Sequence, residues 1–168
     1  LHDVAASGSD AINFRAAFRN AQVVNKCIVK SSKLKDPFAE LSDLAGASTI
    51  SILLSNEYPF FRISANGQLA KFTVVFPQGD EAFAKLSCTQ EKECNYRLSL
   101  VALATKALSF ADKTFIQMNA VGTLYLQHLL TQKDGSRTHV DFYILPDVDD
   151  TEANSDANSD DNVSDDSD

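Results

Sequence analysis

An α+β fold of two βαβββ units, with helices covering one face of antiparallel sheets, is what this 168-residue sequence predicts. Three observations carry that reading. Alternating extended runs outnumber helical ones, each half has one helical stretch near its start, and the order strand, helix, strand, strand, strand occurs twice. Residue identity between the halves is low, so the repeat is one of pattern.

In the first half, after a polar opening, INFRAAF and VVNKCIVK are rich in β-branched and apolar residues. KLKDPFAELSDL then changes period, placing Leu34, Phe38 and Leu41 on one helical face. Gly46 and Ser48 mark the stop, and STISILL sets Ile50, Ile52 and Leu54 on one side of a strand. The turn NEYP leads to FFRIS. Asn66-Gly67 is a hairpin signal, and beyond it LAKFTVVF alternates with Phe72, Val74 and Phe76 together. DEAFAKLSC is a candidate for one further strand between the halves.

The second half reads NYRLSL as strand and VALATKALSFA as helix, followed by TFIQMN, GTLYLQHLL and THVDFYIL as strands. The helix is expected to lay Leu100, Leu103 and Leu108 on the sheet and to leave Lys106 pointing outward. Asn119-Ala-Val-Gly122 turns the hairpin that follows.

A length of 168 residues and a hydrophobic fraction of 44% suit one domain with a single core. Cys27, Cys88 and Cys94 form no CxxC pair, and an odd count fits a reducing, intracellular compartment better than a disulfide framework or a zinc site. No run of about 18 apolar residues occurs, and LHDVAASGSD lacks the apolar centre of a signal peptide. Leu1 in place of methionine suggests the later part of a longer chain. The net charge of −8 is unevenly placed, because residues 147–168 hold ten acids and no base. Residues 1–146 are therefore near neutral at +2. The acidic run cannot bury enough apolar surface to offset chain entropy and is expected to be disordered.

VVNKCIVKSSKLKDPFAELSDL, YPFFRIS, NYRLSL, TKALSFADKTFIQMNAVGTLYLQHLL and HVDFYILPD together resemble the sliding DNA clamps, and within them the Rad-one family of nine-one-one checkpoint-clamp subunits. FYILPDVDD also resembles the last strand and acidic tail of the replication clamp. The resemblance implies a clamp domain over residues 23–146, the second of two such domains. Residues 1–22 would then hold the interdomain connection or the end of a first domain, and 147–168 the tail. It further implies sheets outside a ring and helices lining a channel for duplex DNA. Such a protein needs no nucleophile, because enclosure holds it on DNA while weak phosphate contacts let it slide.

The same resemblance nominates site residues. Lys106, in Thr105-Lys106-Ala107, matches the place of a channel lysine, and Lys33 and Lys35 on the first helix are basic beside Asp36 and Glu40. Solvated helix charges are the other reading of all three. Lys71, Phe72, Thr73 and Val74 occupy the place of the edge strand that meets a neighbouring subunit, unless DEAFAKL covers that edge internally. Pro146, Asp147 and Val148 match the segment bordering the pocket for partner peptides, or are a simple chain exit.

His2, His128 and His139 are scattered, and His128 among leucines reads as structural. Serines 155, 159, 164 and 167 among acids suit an acid-directed kinase. No GxxxxGK occurs, and the only Asp-x-Glu, Asp150-Thr-Glu152, lies in the acidic run where geometry cannot be held. No catalytic residue, metal or cofactor is expected. The implied function is that of a checkpoint clamp subunit in a nuclear heterotrimeric ring, put on damaged DNA by an ATP-dependent loader. Its implied partners are two homologous subunits together with repair and checkpoint proteins. The alternatives are a replication-clamp subunit and a 3′–5′ exonuclease.

Overall fold

In a computed structural model the chain is described over residues 8–76 and 83–147, without the side chains of 8–12, 83 and 84. In order, the elements are helix α1 (Gly8–Asn20), strand β1 (Val23–Lys30), helix α2 (Ser31–Ser42), strands β2 (Thr49–Leu54), β3 (Phe61–Asn66), β4 (Lys71–Phe76), β5 (Phe83–Cys88) and β6 (Lys92–Arg97), helix α3 (Leu98–Thr105) and strands β7 (Lys113–Asn119), β8 (Leu124–Thr131) and β9 (Arg137–Ile144). A 3₁₀ turn, Lys106–Ser109, follows α3.

Both βαβββ units are present, β1-α2-β2-β3-β4 and β6-α3-β7-β8-β9, but each lends its first strand to the other. One antiparallel sheet runs β5-β1-β7-β8-β9 and the other β4-β3-β2-β6. Thus β1 pairs with β7, Cys27 opposite Ile116, and β6 pairs with β2, Cys94 opposite Ile52. DEAFAKLSC does supply a strand. It pairs with β1 and not with β4.

The inward residues of both sheets and both helices form one continuous core, with Val29, Leu41, Ile50, Phe61, Ile63, Tyr96, Val101, Met118 and Leu124 fully buried. Leu34, Phe38 and Leu41 make the buried stripe of α2 as their spacing requires. α2 packs on β1 and β7, α3 on β2, β6 and β9, and the two helices touch along one side of the sheets.

Two local readings change, and a third is refined. INFRAAF lies within α1, where its alanines and arginines are good helix formers and Phe18 alone of the described side chains is buried. That ring packs at 5.4 Å from Tyr125 and 5.7 Å from Tyr143, on the sheet face away from the core. In NYRLSL the strand ends at Arg97, and Leu98 already begins α3. The hairpin signalled by Asn66-Gly67 forms between β3 and β4, Asn66 opposite Lys71, but across a four-residue loop and not a two-residue turn. Gly67 serves a close approach instead: a Cβ there would stand 2.6 Å from the carbonyl oxygen of Ala45.

The Asn119–Gly122 turn is built as its residues suggest. Asn119 Oδ1 accepts from the Thr123 amide at 2.8 Å, Gly122 takes φ +88°, and the Tyr96 hydroxyl donates to the Gly122 carbonyl at 2.7 Å. A Cβ on Gly122 would meet Cys94 Sγ at 2.8 Å.

His128 is structural. Its Nε2 lies 3.0 Å from the Ala104 carbonyl, which can only accept, so Nε2 carries the proton. Nδ1 then accepts from Thr114 Oγ1 at 2.9 Å, and Thr114 accepts from Ser31 Oγ at 2.8 Å. This buried line of hydrogen bonds joins α2, β7, β8 and the end of α3. Burial lowers the His128 pKa from its ordinary 6.5, because it disfavours the imidazolium.

Two outcomes are expected. Gly122→Ala should lose about 1–3 kcal/mol in urea unfolding, from backbone strain together with the sulfur contact. Gly135→Ala, at φ +83° with nothing within 4 Å, should lose less. For His128, the unfolded state binds a proton at a higher pH than the folded state does. Its stability contribution is therefore complete above 6.5 and declines as pH falls below that value. Urea midpoints between about pH 7 and pH 5 should fall more steeply in the native chain than in His128→Gln.

Candidate nucleic-acid interface

α2 and α3 present the face on which the nominated cations stand. Lys33 and Lys35 are exposed on α2, and Lys106 is exposed where α3 gives way to the 3₁₀ turn. The structure brings Lys35 and Lys106 to a single groove of about 350 Å³ between the helices, floored by Phe38 and Ala102 and bordered also by Asp43. Lys33 does not line it.

α3 is oriented differently from the sequence expectation. Leu98, Val101 and Ala104 are its buried residues, spaced by three along the helix, and Leu108 is buried in the turn beyond. Leu100 and Leu103 are on the other side, 46% and 54% exposed. Two of the three leucines expected on the sheet therefore accompany Lys106 on the open face. The acids Asp36, Glu40 and Asp43 are exposed on or just after α2, so this face is of mixed charge.

β4 has β3 on one side and no described strand on the other. Lys71 and Thr73 are exposed, whereas Phe72 and Val74 turn inward against the core. Among the described residues the backbone edge is thus open, while half of the nominated side chains belong to the interior. Alternation along a strand makes this unavoidable.

Pro146 and Asp147 follow β9, and Val148 lies outside the described residues. The Asp147 amide donates to the Asn95 carbonyl at 2.7 Å, and its carboxylate is 3.8 Å from Arg97 Nε, so the segment is tied across β6. His139 is exposed, 3.9 Å from Asp141. His2, Asp150, Glu152 and the four tail serines lie outside the described residues. Burial raises the pKa of all three thiols, Cys27, Cys88 and Cys94, most strongly at Cys27. Among the described residues no group of three or more His, Cys, Asp or Glu side chains could hold a metal ion.

Comparison with known proteins places this geometry. Residues 8–130 match the family model described as repair protein Rad1/Rec1/Rad17. The cell cycle checkpoint protein RAD1 of Mus musculus is 32% identical over 130 residues, covering 77% of this chain and 46% of that protein. The human protein of that name is 31% identical over the same length, covering 77% and 45%. The DNA damage checkpoint control protein rad1 of Schizosaccharomyces pombe is 31% identical over 121 residues, covering 72% and 37%. The chain therefore spans about half the length, or less, of these relatives. With two antiparallel sheets, helices on one face and a family match over most of its length, the chain has the α+β DNA-clamp fold and belongs to the Rad1/Rec1/Rad17 repair-protein family.

Proposed function

We propose that this chain supplies the second domain of a DNA damage checkpoint sliding clamp, a non-enzymatic subunit of a heterotrimeric ring around DNA. The observation that carries the reading is the juxtaposition of Lys35 and Lys106 in one groove on the helix face of a clamp fold. In a ring that face is turned to the channel, where lysines attract phosphate without reading sequence. Lys33 adds charge at its margin. The relatives' names, cell cycle checkpoint and DNA damage checkpoint proteins, support the process, and a nuclear setting is part of the proposal.

The open edge of β4 is the surface through which a homologous subunit adds its strand, its unpaired amides and carbonyls being satisfied by ring closure. Pro146 and Asp147, held against β6, border a place for partner peptides. Loading by an ATP-dependent loader and recruitment of repair and checkpoint proteins belong to the whole ring. Native mass spectrometry of the full-length product with its homologues tests the assembly: a mixed trimer is expected, and a homotrimer would make it a replication clamp. Metal-dependent cleavage of DNA that survives purification would favour the exonuclease reading instead.

Two substitutions address the surfaces separately. In the assembled ring, Lys106→Glu should shift folding stability by less than about 0.5 kcal/mol and still lower DNA retention. Lys106→Ala should reduce the salt slope of binding by about one, uniformly across DNA sequences. Lys133→Glu, in the exposed loop between β8 and β9, is the matched control, and equal effects from the two sites would reject the channel assignment. At the edge, Thr73→Lys places an outward ammonium beside the unpaired strand and should block assembly while circular dichroism stays unchanged. Because Val74 faces the core, a charge there would instead unfold the domain.

A further inference from the structure

The five-stranded sheet has a second, differently charged face away from both α2 and α3; α1 covers it at Tyr125 and Tyr143, and among the described residues it is open over β5, β1 and the facing part of β7. Its strands carry five lysines and arginines, Lys26, Lys30, Lys85, Lys113 and Arg137, all of them exposed, against one acid, Asp141. That carboxylate is engaged, accepting hydrogen bonds from Tyr125 and Gln127 at 3.1 Å each.

The strand register builds a concave place on this face. Ile28 sits between Lys85 and Phe115, and Lys26 sits between Ser87 and Gln117. These side chains alternate with core-facing Cys27 and Val29, so all six point outward. They line a basin of about 340 Å³, a volume within the range of small-ligand sites. Phe115 and Ile28 are half-buried and form its apolar floor, while Lys26, Lys85 and Ser87 are exposed around it.

We propose that this face binds single-stranded nucleic acid, with one base lying on Phe115 in the basin and the backbone tracking Lys26 and Lys85. The chemistry fits each part. An aromatic ring offers any base a stacking surface, the Gln117 amide and the Ser87 hydroxyl offer donors and acceptors to its edge, and ammonium groups on both sides meet phosphates. An acidic peptide would use the lysines but has no need of the ring or the amide, and the cations recur across the sheet at Lys113 and Arg137 beyond any one pocket. The site is separate from the groove between α2 and α3 and does not require ring closure.

The test is fluorescence anisotropy of the full 168-residue chain with a labelled oligothymidylate of about 15 nucleotides and a duplex of the same length. Binding of the single strand at low salt is expected, with weaker binding of the duplex. Phe115→Leu should lower affinity by about tenfold with the salt slope unchanged, and Phe115→Tyr should retain it. The pair Lys26→Gln and Lys85→Gln should lower the slope by about 1.4, roughly 0.7 for each phosphate that is no longer neutralised. In a Lys106→Glu background the loss caused by Phe115→Leu should be undiminished, which separates this site from the channel. Absence of binding, or binding that survives both Phe115→Leu and the double lysine substitution, would overturn the proposal. Displacement of the oligonucleotide by an oligoglutamate peptide of equal charge would also overturn it, in favour of an acidic protein segment. The conservative pair Lys26→Arg and Lys85→Arg should restore the slope, so a folding defect cannot imitate the result.

Discussion

Exchange of the first strands between the two βαβββ units is the constraint on which the rest of the structure depends. Because β1 is hydrogen-bonded to β7 and β6 to β2, neither unit can complete a sheet by itself. The hydrophobic cluster likewise draws on both: Cys27 and Val29 lie with Ile116 and Met118, and Tyr96 with Ile50. The helix leaving each exchanged strand carries the chain across to the other sheet, and this brings α2 and α3 into contact on the same side. The groove holding Lys35 and Lys106 is a direct result of that crossing.

The polar line from Ser31 through Thr114 and His128 to Ala104 answers a problem the exchange creates. It lies where both helices meet the five-stranded sheet, so several buried polar groups must be satisfied by one another. Every member has a single compatible role, hydroxyl to hydroxyl to imidazole to carbonyl, and the neutral tautomer follows from the geometry. By contrast Asn25, fully buried beside the irregular start of β1, has neither amide atom bonded among the described residues. No physical compensation for it is evident among them.

Charge is distributed against the simplest expectation for the proposed DNA channel. The helix face mixes lysines with Asp36, Glu40 and Asp43 and exposes Leu100 and Leu103, whereas the lysines and arginines on the outer face of the five-stranded sheet stand against Asp141 as the one acid on its strands. Weak attraction at the helix face is compatible with sliding, since retention in a ring comes from enclosure and not from the strength of phosphate binding. A more basic outer face instead suits a ligand that remains outside.

By itself the sequence determined the repeated strand and helix order, the buried stripe of α2, the alternation of β4 and the role of Gly122, because each follows from periodicity or from a local backbone demand. The family was legible too, in motifs spread along the chain. Tertiary structure alone decided which strands pair, since period-two alternation names a strand's two faces without naming its neighbour. It also decided that INFRAAF is helical, because one ring, Phe18, finds the Tyr125–Tyr143 pair from across the fold. The rotation of α3 was out of reach for a related reason. The helix has only eight residues, apolar nearly all round, and the packing of Leu98, Val101 and Ala104 chooses the buried side. The basin around Phe115 was equally hidden, for Lys26, Lys85 and Phe115 lie on three separate strands and become neighbours only through the register of β5, β1 and β7.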